Sequence, residues 1–215
     1  RKGPWWYVGR TIEGKSYPVH CRGRSAQSAT ESVLLDENVE AGASEYFAVG
    51  AFDVSPSQRL LAWSRDLDGS EEYEMLVRDL ATGVDLADRL DRTYYGTAWS
   101  ADDEYLFYVV PDEAMRPYQV WRHRIGTLQT DDALVFEEAD ERFFVSIDLS
   151  RSGDWIILGV DSTETSEAHL IPAHAPTAAP TLVQARRQGH EYGIDHWGDR
   201  FVILTNDEAV DFRVM

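Results

Sequence analysis

Six histidines, one cysteine and 38 carboxylates are the side chains of this chain that could carry acid–base, metal or nucleophilic chemistry. The histidines are scattered, at His20, His123, His169, His174, His190 and His196. His190 and His196 lie six residues apart across a strand and a turn, with no third ligand in sequence, so a structural role outweighs a metal centre there. His123 alternates with Arg122 and Arg124 along a strand and is expected at the surface. The acidic pairs Glu71/Glu72, Asp102/Asp103 and Glu137/Glu138 fall in turns, where solvated carboxylates are the default. No Gly-x-Ser-x-Gly elbow, Cys-x-x-Cys, His-Glu-x-x-His, phosphate loop or dinucleotide fingerprint occurs. No catalytic residue, no metal site and no cofactor is therefore expected within these 215 residues.

What the sequence does contain is a repeat. Ser55–Trp63, Ser100–Tyr108, Ser150–Leu158 and His196–Leu204 share a tight turn followed by an apolar run. The recurring Ser55, Ser100 and Ser150 read as turn formers, not nucleophiles. Their spacings are 45 and 50 residues, a period that in a strand-rich chain signals a β-propeller with one blade per repeat. The apolar runs Leu60–Trp63, Leu106–Val109 and Ile156–Leu158 do not alternate. A strand with one wet face alternates, so these must be covered on both faces, as neighbouring blades would cover them. The third strands, such as Val120–Arg124, alternate more and are expected nearer the outside.

The fold expected is all-β, a partial propeller of three complete four-stranded antiparallel blades and two partial ones. The blades fall at residues 1–44 (partial), 45–92, 93–139, 140–190 and 191–215 (partial). Helical periodicity is weak; the best candidate is Asp36–Ala43. Both ends interrupt strand-like sequence, so a piece of a longer protein is expected. Apolar blade faces at both ends would make the isolated segment self-associate.

Composition narrows the partners. A formal charge of −18 argues against nucleic acid and against an anionic membrane surface. No apolar run reaches the roughly 18 residues of a membrane span. The lone Cys21 allows no intrachain disulfide, which fits a reducing, cytoplasmic location.

Six segments in order resemble the propeller of oligopeptidase B, in the prolyl oligopeptidase family of serine peptidases. They are Tyr17–Arg22, Leu34–Asn38, Phe52–Pro56, Val77–Gly83, Arg116–His123 and Asp140–Phe144. The resemblance implies a seven-bladed parent propeller that covers a Ser-Asp-His site on an α/β-hydrolase domain absent from this chain. It also implies hydrolysis of short peptides after Arg or Lys, with the propeller restricting access. The partners implied are the C-terminal hydrolase domain and short basic peptides.

Meander connectivity puts the second-to-third turn of each blade and the start of its first strand on one rim. That rim would hold Glu71, Glu72, Tyr94 and Arg116. By the resemblance it faces the hydrolase domain, with Glu72 matching a position that meets an arginine there and Tyr94 one that lines the substrate cavity. The rival reading is a non-catalytic propeller acting as a protein-interaction platform, since one fold hosts many functions.

Overall fold

The computed structural model describes residues 2–215. Strands β1 (Trp6–Arg10), β2 (Val19–Gly23) and β3 (Ser32–Asp36) form a three-stranded first sheet. Strands β4 (Ala48–Val54), β5 (Leu60–Asp66), β6 (Tyr73–Asp79) and β7 (Val84–Thr93) form the second. The third holds β8 (Thr97–Trp99), β9 (Tyr105–Pro111), β10 (Pro117–Arg124) and β11 (Ala133–Glu137). The fourth holds β12 (Phe144–Leu149), β13 (Trp155–Asp161), β14 (Ser166–Pro172) and β15 (Thr181–Gln184). A fifth, three-stranded sheet holds β16 (Tyr192–Trp197), β17 (Arg200–Thr205) and β18 (Arg213–Val214). Each sheet is an antiparallel meander in sequence order. The rest is connection, apart from a single-turn helix α1 (Glu37–Ala41) and a short 3-10 turn at Gln129–Asp131. Helix α1 is all that forms of the Asp36–Ala43 expectation, started by the Asp36 carboxylate accepting from the Asn38 amide at 3.0 Å.

The repeated serines build one device three times. Ser55 donates its N–H to the Leu60 carbonyl at 2.9 Å, and its hydroxyl accepts from the Leu60 amide. Ser100 does both with Tyr105, and Ser150 does both with Trp155. Three residues past each serine the chain turns left-handed, at Gln58, Asp103 and Gly153 (φ 68, 63 and 81°). The side chain thus closes the hairpin between first and second strands and pins its register.

Second strands β5 and β9 are buried on both faces because each face meets a different neighbour. Strand β13 departs from the expected two-sided burial: Ile156 and Leu158 are buried, but Ile157, on the Trp155 face towards the three-stranded fifth sheet, is only partly covered. Leu61 and Trp63 pack with Leu34, Leu35 and Phe47 towards the first sheet. Leu60 and Ala62, pointing the other way, pack with Trp99, Leu106 and Tyr108 of the third. In β9, Phe107 and Val109 in turn join Val145, Ile147, Ile156 and Leu158 of the fourth sheet. Each buried Leu, Ile, Val or Phe among them is worth about 1.5–3 kcal/mol. The core is therefore distributed between sheets, not inside one layer.

The sheets are arranged about a common axis. Gly50–Asp53 of β4, Gly96 and Thr97 at β8, and Ile147–Arg151 at β12 line one cavity of about 490 Å³ together with Lys2. First strands from three successive sheets converge there, while the fourth strands β7, β11 and β15 lie at the opposite edges of those sheets. This is the all-β, propeller-like architecture expected from the repeat. One third strand departs from expectation: Met75, Leu76 and Val77 of β6 are covered on both faces, because sheets flank them on both sides.

Candidate functional site: the rim at the second and third sheets

The turn from β5 to β6 is organised by one carboxylate. Asp66 accepts from the amides of Asp68 and Gly69 through Oδ1 and from that of Glu71 through Oδ2, each at 2.9 Å. Burial alone would raise the Asp66 carboxyl; the backbone N–H groups outweigh it and hold it below the ordinary carboxylate range. Gly69 and Glu71 both take positive φ in this turn (84 and 62°). Glu71 is left exposed and Glu72 half-buried.

Glu72 faces Arg92 of β7, with Oε1 3.4 Å from Nε. Both line a cavity of about 290 Å³ with Arg65, Asp66, Tyr73 and Glu74. The cavity holds carboxylates and guanidinium groups side by side, which suits a charged partner more than an apolar one.

Tyr94 is held by its own amide, which donates to the Val109 carbonyl at 2.8 Å. Its ring is partly buried against the core between the third and fourth sheets, and stacks edge-on to Tyr95 at 4.8 Å between centroids. Tyr95 in turn shares a 2.7 Å hydroxyl–hydroxyl bond with Tyr73. Burial, with Glu71 and Tyr95 adding to it, pushes the Tyr94 phenol up. The following Gly96 has φ +90°, and a Cβ there would sit 3.2 Å from the Ile147 carbonyl, so the link can pass close under the fourth sheet. Glu71, Glu72 and Tyr94 therefore belong to one neighbourhood, built from the 66–73 turn and the 92–96 link.

Arg116 belongs to the next turn along. Its Nε donates to Asp112 Oδ2 at 2.9 Å, and Nη1 donates to the Phe143 carbonyl at 2.9 Å. Longer bonds of 3.4 Å reach the carbonyls of Glu138 and Asp140. The side chain is only 11% exposed. Its chemistry is that of a tether, fixing the start of the fourth sheet to the β9–β10 turn.

The histidines sort differently from the sequence reading. His123 is not at the surface: it is fully buried, with a carboxylate on each ring nitrogen, because β7 of the preceding sheet covers the face it occupies. His190 bonds Thr205 and His196 bonds Ser152, so the two have separate partners. Ser152 and Asp154 both approach Nδ1 of His196, at 2.8 and 3.6 Å. A nucleophile relay needs the acid and the hydroxyl on opposite ring nitrogens, so these three do not form one. Among the described residues no three His, Cys, Asp or Glu side chains gather as metal ligands. None of their helices is long and apolar enough to cross a membrane.

Asp66 and Arg92 are parts of the rim that the sequence reading passed over. The Asp-x-Asp-Gly-Ser composition of residues 66–70 is an Asx-turn signal that could have marked the first. Nothing local marks Arg92, whose partner is brought to it only by the β6–β7 pairing.

Comparison with known proteins agrees with this architecture. Residues 1–215 match the family model for the prolyl oligopeptidase N-terminal beta-propeller domain. Protease 2 of Moraxella lacunata is 37% identical over 220 residues, covering 99% of this chain and 32% of that protein. Dipeptidyl aminopeptidase BI of Pseudoxanthomonas mexicana is 38% identical over 232 residues, covering 100% and 32%. Oligopeptidase B from Leishmania major superposes with a TM-score of 0.91 at 28% identity, over 100% of this chain and 31% of that one. Oligopeptidase B from Trypanosoma brucei, with covalently bound antipain in a closed form, gives 0.90 at 30% identity over the same shares. The chain thus spans about a third of the length of these relatives. With a family match over its whole length and all-β sheets about a common axis, this chain belongs to the prolyl oligopeptidase family, as its N-terminal β-propeller domain.

Proposed function

We propose that this domain is the lid of an oligopeptidase B-like serine peptidase that cuts short peptides after Arg or Lys. The observation that carries the reading is the likeness along the whole chain to oligopeptidase B structures, joined to a charged rim. In this reading the catalytic triad lies in a hydrolase domain elsewhere in the protein, the propeller has seven blades, and this segment alone is inert. The rim bearing Glu71, Glu72, Tyr94 and Arg116 faces that domain. Glu72 exchanges its exposed Arg92 partner for an arginine across the seam, a charge-assisted bond that forms on closure. Tyr94 supplies an aromatic wall, and Arg116 keeps the adjoining segment 138–143 in place. Exposed apolar residues on the outer sheets, such as Val33, Leu204 and Val214, pack against the rest of the protein. Alone, the segment would associate through them.

The test is the full-length protein with a panel of peptides differing at the scissile residue. Cleavage after Arg and Lys, abolished by a serine-directed covalent reagent, is the expected result. A second reading, removal of dipeptides from free amino termini, is favoured by the 38% identity to a dipeptidyl aminopeptidase. Acetylating the peptide amino terminus separates the two: the endopeptidase reading keeps activity, and the dipeptidyl reading loses it.

A further inference from the structure

We propose that Asp88, His123 and Asp132 form a clasp between the second and third sheets that holds while the His123 ring is an imidazolium and releases when it loses its proton. His123 Nε2 lies 2.9 Å from Asp88 Oδ1, and Nδ1 lies 2.7 Å from Asp132 Oδ1. The side chains of all three are at most 2% exposed. A neutral imidazole has one N–H and one lone pair, while a carboxylate only accepts. Both contacts are satisfied together only when both ring nitrogens carry hydrogen.

The residues come from separate elements. Asp88 is on β7, the outer strand of the second sheet, His123 on β10, and Asp132 follows the 3-10 turn at Gln129–Asp131. From β7, Asp88 faces the ring; Arg89 beside it is occupied with the Leu86 and Asp88 carbonyls. From β9, the Tyr108 hydroxyl donates to Asp132 Oδ2 at 2.8 Å. From the 125–132 connection come Asp132 itself and the Gly126 amide, which donates to Asp88 Oδ1 at 2.5 Å. On β10, Arg122 and Arg124 alternate onto the other face, and Arg122 reaches the Pro176 carbonyl. Asp131, next in the chain, is exposed. No other cation among the described residues bonds to either carboxylate's side-chain oxygens.

The ring supplies the charge that two buried carboxylates require. Burial works against its proton, but hydrogen bonds and charge from Asp132 and Asp88 outweigh burial and carry it up to about 9. Above that, a lone pair faces a carboxylate inside a dry seam, a costly arrangement. The relief is to part β7 from the 126–132 connection, admitting water. The Gln129 side chain, which clamps Asp91 N–H and C=O at 2.9 and 3.0 Å across the same seam, would be strained next. This differs from any role in peptide hydrolysis and stands whether or not the proposed substrate class is right.

The test is amide hydrogen exchange by mass spectrometry on the full-length protein, with labelling times rescaled for the pH dependence of intrinsic exchange. Protection in segments 84–93 and 117–135 is expected to fall about tenfold or more between about pH 7 and about pH 10, while segment 155–172 holds. In His123→Gln the same two segments should be less protected already near pH 7 and then stay level. If that variant does not fold, Asp88→Asn keeps one carboxylate on the ring, and release should move to lower pH than in the wild type. Protection independent of pH in the wild type would overturn the proposal. So would the same pH-dependent fall in His123→Gln, no shift in Asp88→Asn, or a uniform loss that includes segment 155–172.

Discussion

Glu72 and Arg92 meet across the β6–β7 edge with Oε1 and Nε 3.4 Å apart, and both side chains remain open to water (38% and 55% exposed). An exposed pair of this kind contributes about 0–1 kcal/mol, so little holds Glu72 to its partner. In the full-length protein, Glu72→Gln should lower kcat/KM for Arg peptides by about tenfold, the loss of roughly 1.4 kcal/mol of transition-state stabilisation. The thermal midpoint should barely move. Steady-state kinetics beside a melting curve checks both. Unchanged values of each would remove Glu72 from the gate.

Tyr94 sits half-buried at the edge of the core that joins the third and fourth sheets. If Tyr94 walls the cavity as proposed, Tyr94→Ala should raise KM with a smaller change in kcat, since a wall and not a reacting group is lost. Tyr94→Phe should keep KM near the wild-type value, since among the described residues none accepts a hydrogen bond from the Tyr94 hydroxyl. A wild-type KM for Tyr94→Ala across several peptide lengths would assign the ring to packing alone.

Gly50 on β4 has no room for a side chain. A Cβ there would lie 2.7 Å from the Tyr73 ring and 2.8 Å from Ser64 Oγ. That same hydroxyl accepts from the Ala51 amide at 2.7 Å, so neither neighbour moves freely. Gly50→Ala should destabilise the protein by about 1–3 kcal/mol, read from denaturant unfolding. It should also disturb the Tyr73–Tyr95 bond beneath the rim.

Arg186 bridges Glu138 at 2.5 Å and Glu167 at 3.1 Å, tying the third sheet to the fourth. Burial opposes the Glu167 charge, but bonds from Arg186 and His169 prevail and bring its carboxyl down to about 2. A lowered carboxyl contributes stability above its unfolded value, near 4.5, and loses it as pH falls towards 2. Arg186→Met should therefore narrow the stability difference between pH 6 and pH 3 relative to wild type, measured as thermal midpoints on that pH range. Equal pH dependence in both would show that Glu167 owes its ionisation to other groups.

The ring arrangement was legible because its signals are local. Each turn serine stands beside the hairpin it closes, and Leu60–Trp63 carries two-sided burial in four adjacent letters. The His123 clasp was not legible, since its partners Asp88 and Asp132 are 35 and 9 residues away and the flanking arginines give the strand a surface look. Alternation reports which residues share a face, and it is silent on whether a neighbouring sheet covers that face. Topology alone places the second-to-third turns at one sheet edge. The Glu72–Arg92 pair and the Arg116 tether depend on side-chain reach between strands and had no signature in spacing.

The lid role is tested most directly by kcat/KM of the full-length protein on substrates that share one scissile Arg within chains of increasing length. A steep fall from short peptides to an unfolded polypeptide is predicted, because a covering propeller excludes long chains. Equal kcat/KM per scissile bond for the short peptides and the unfolded polypeptide would contradict it.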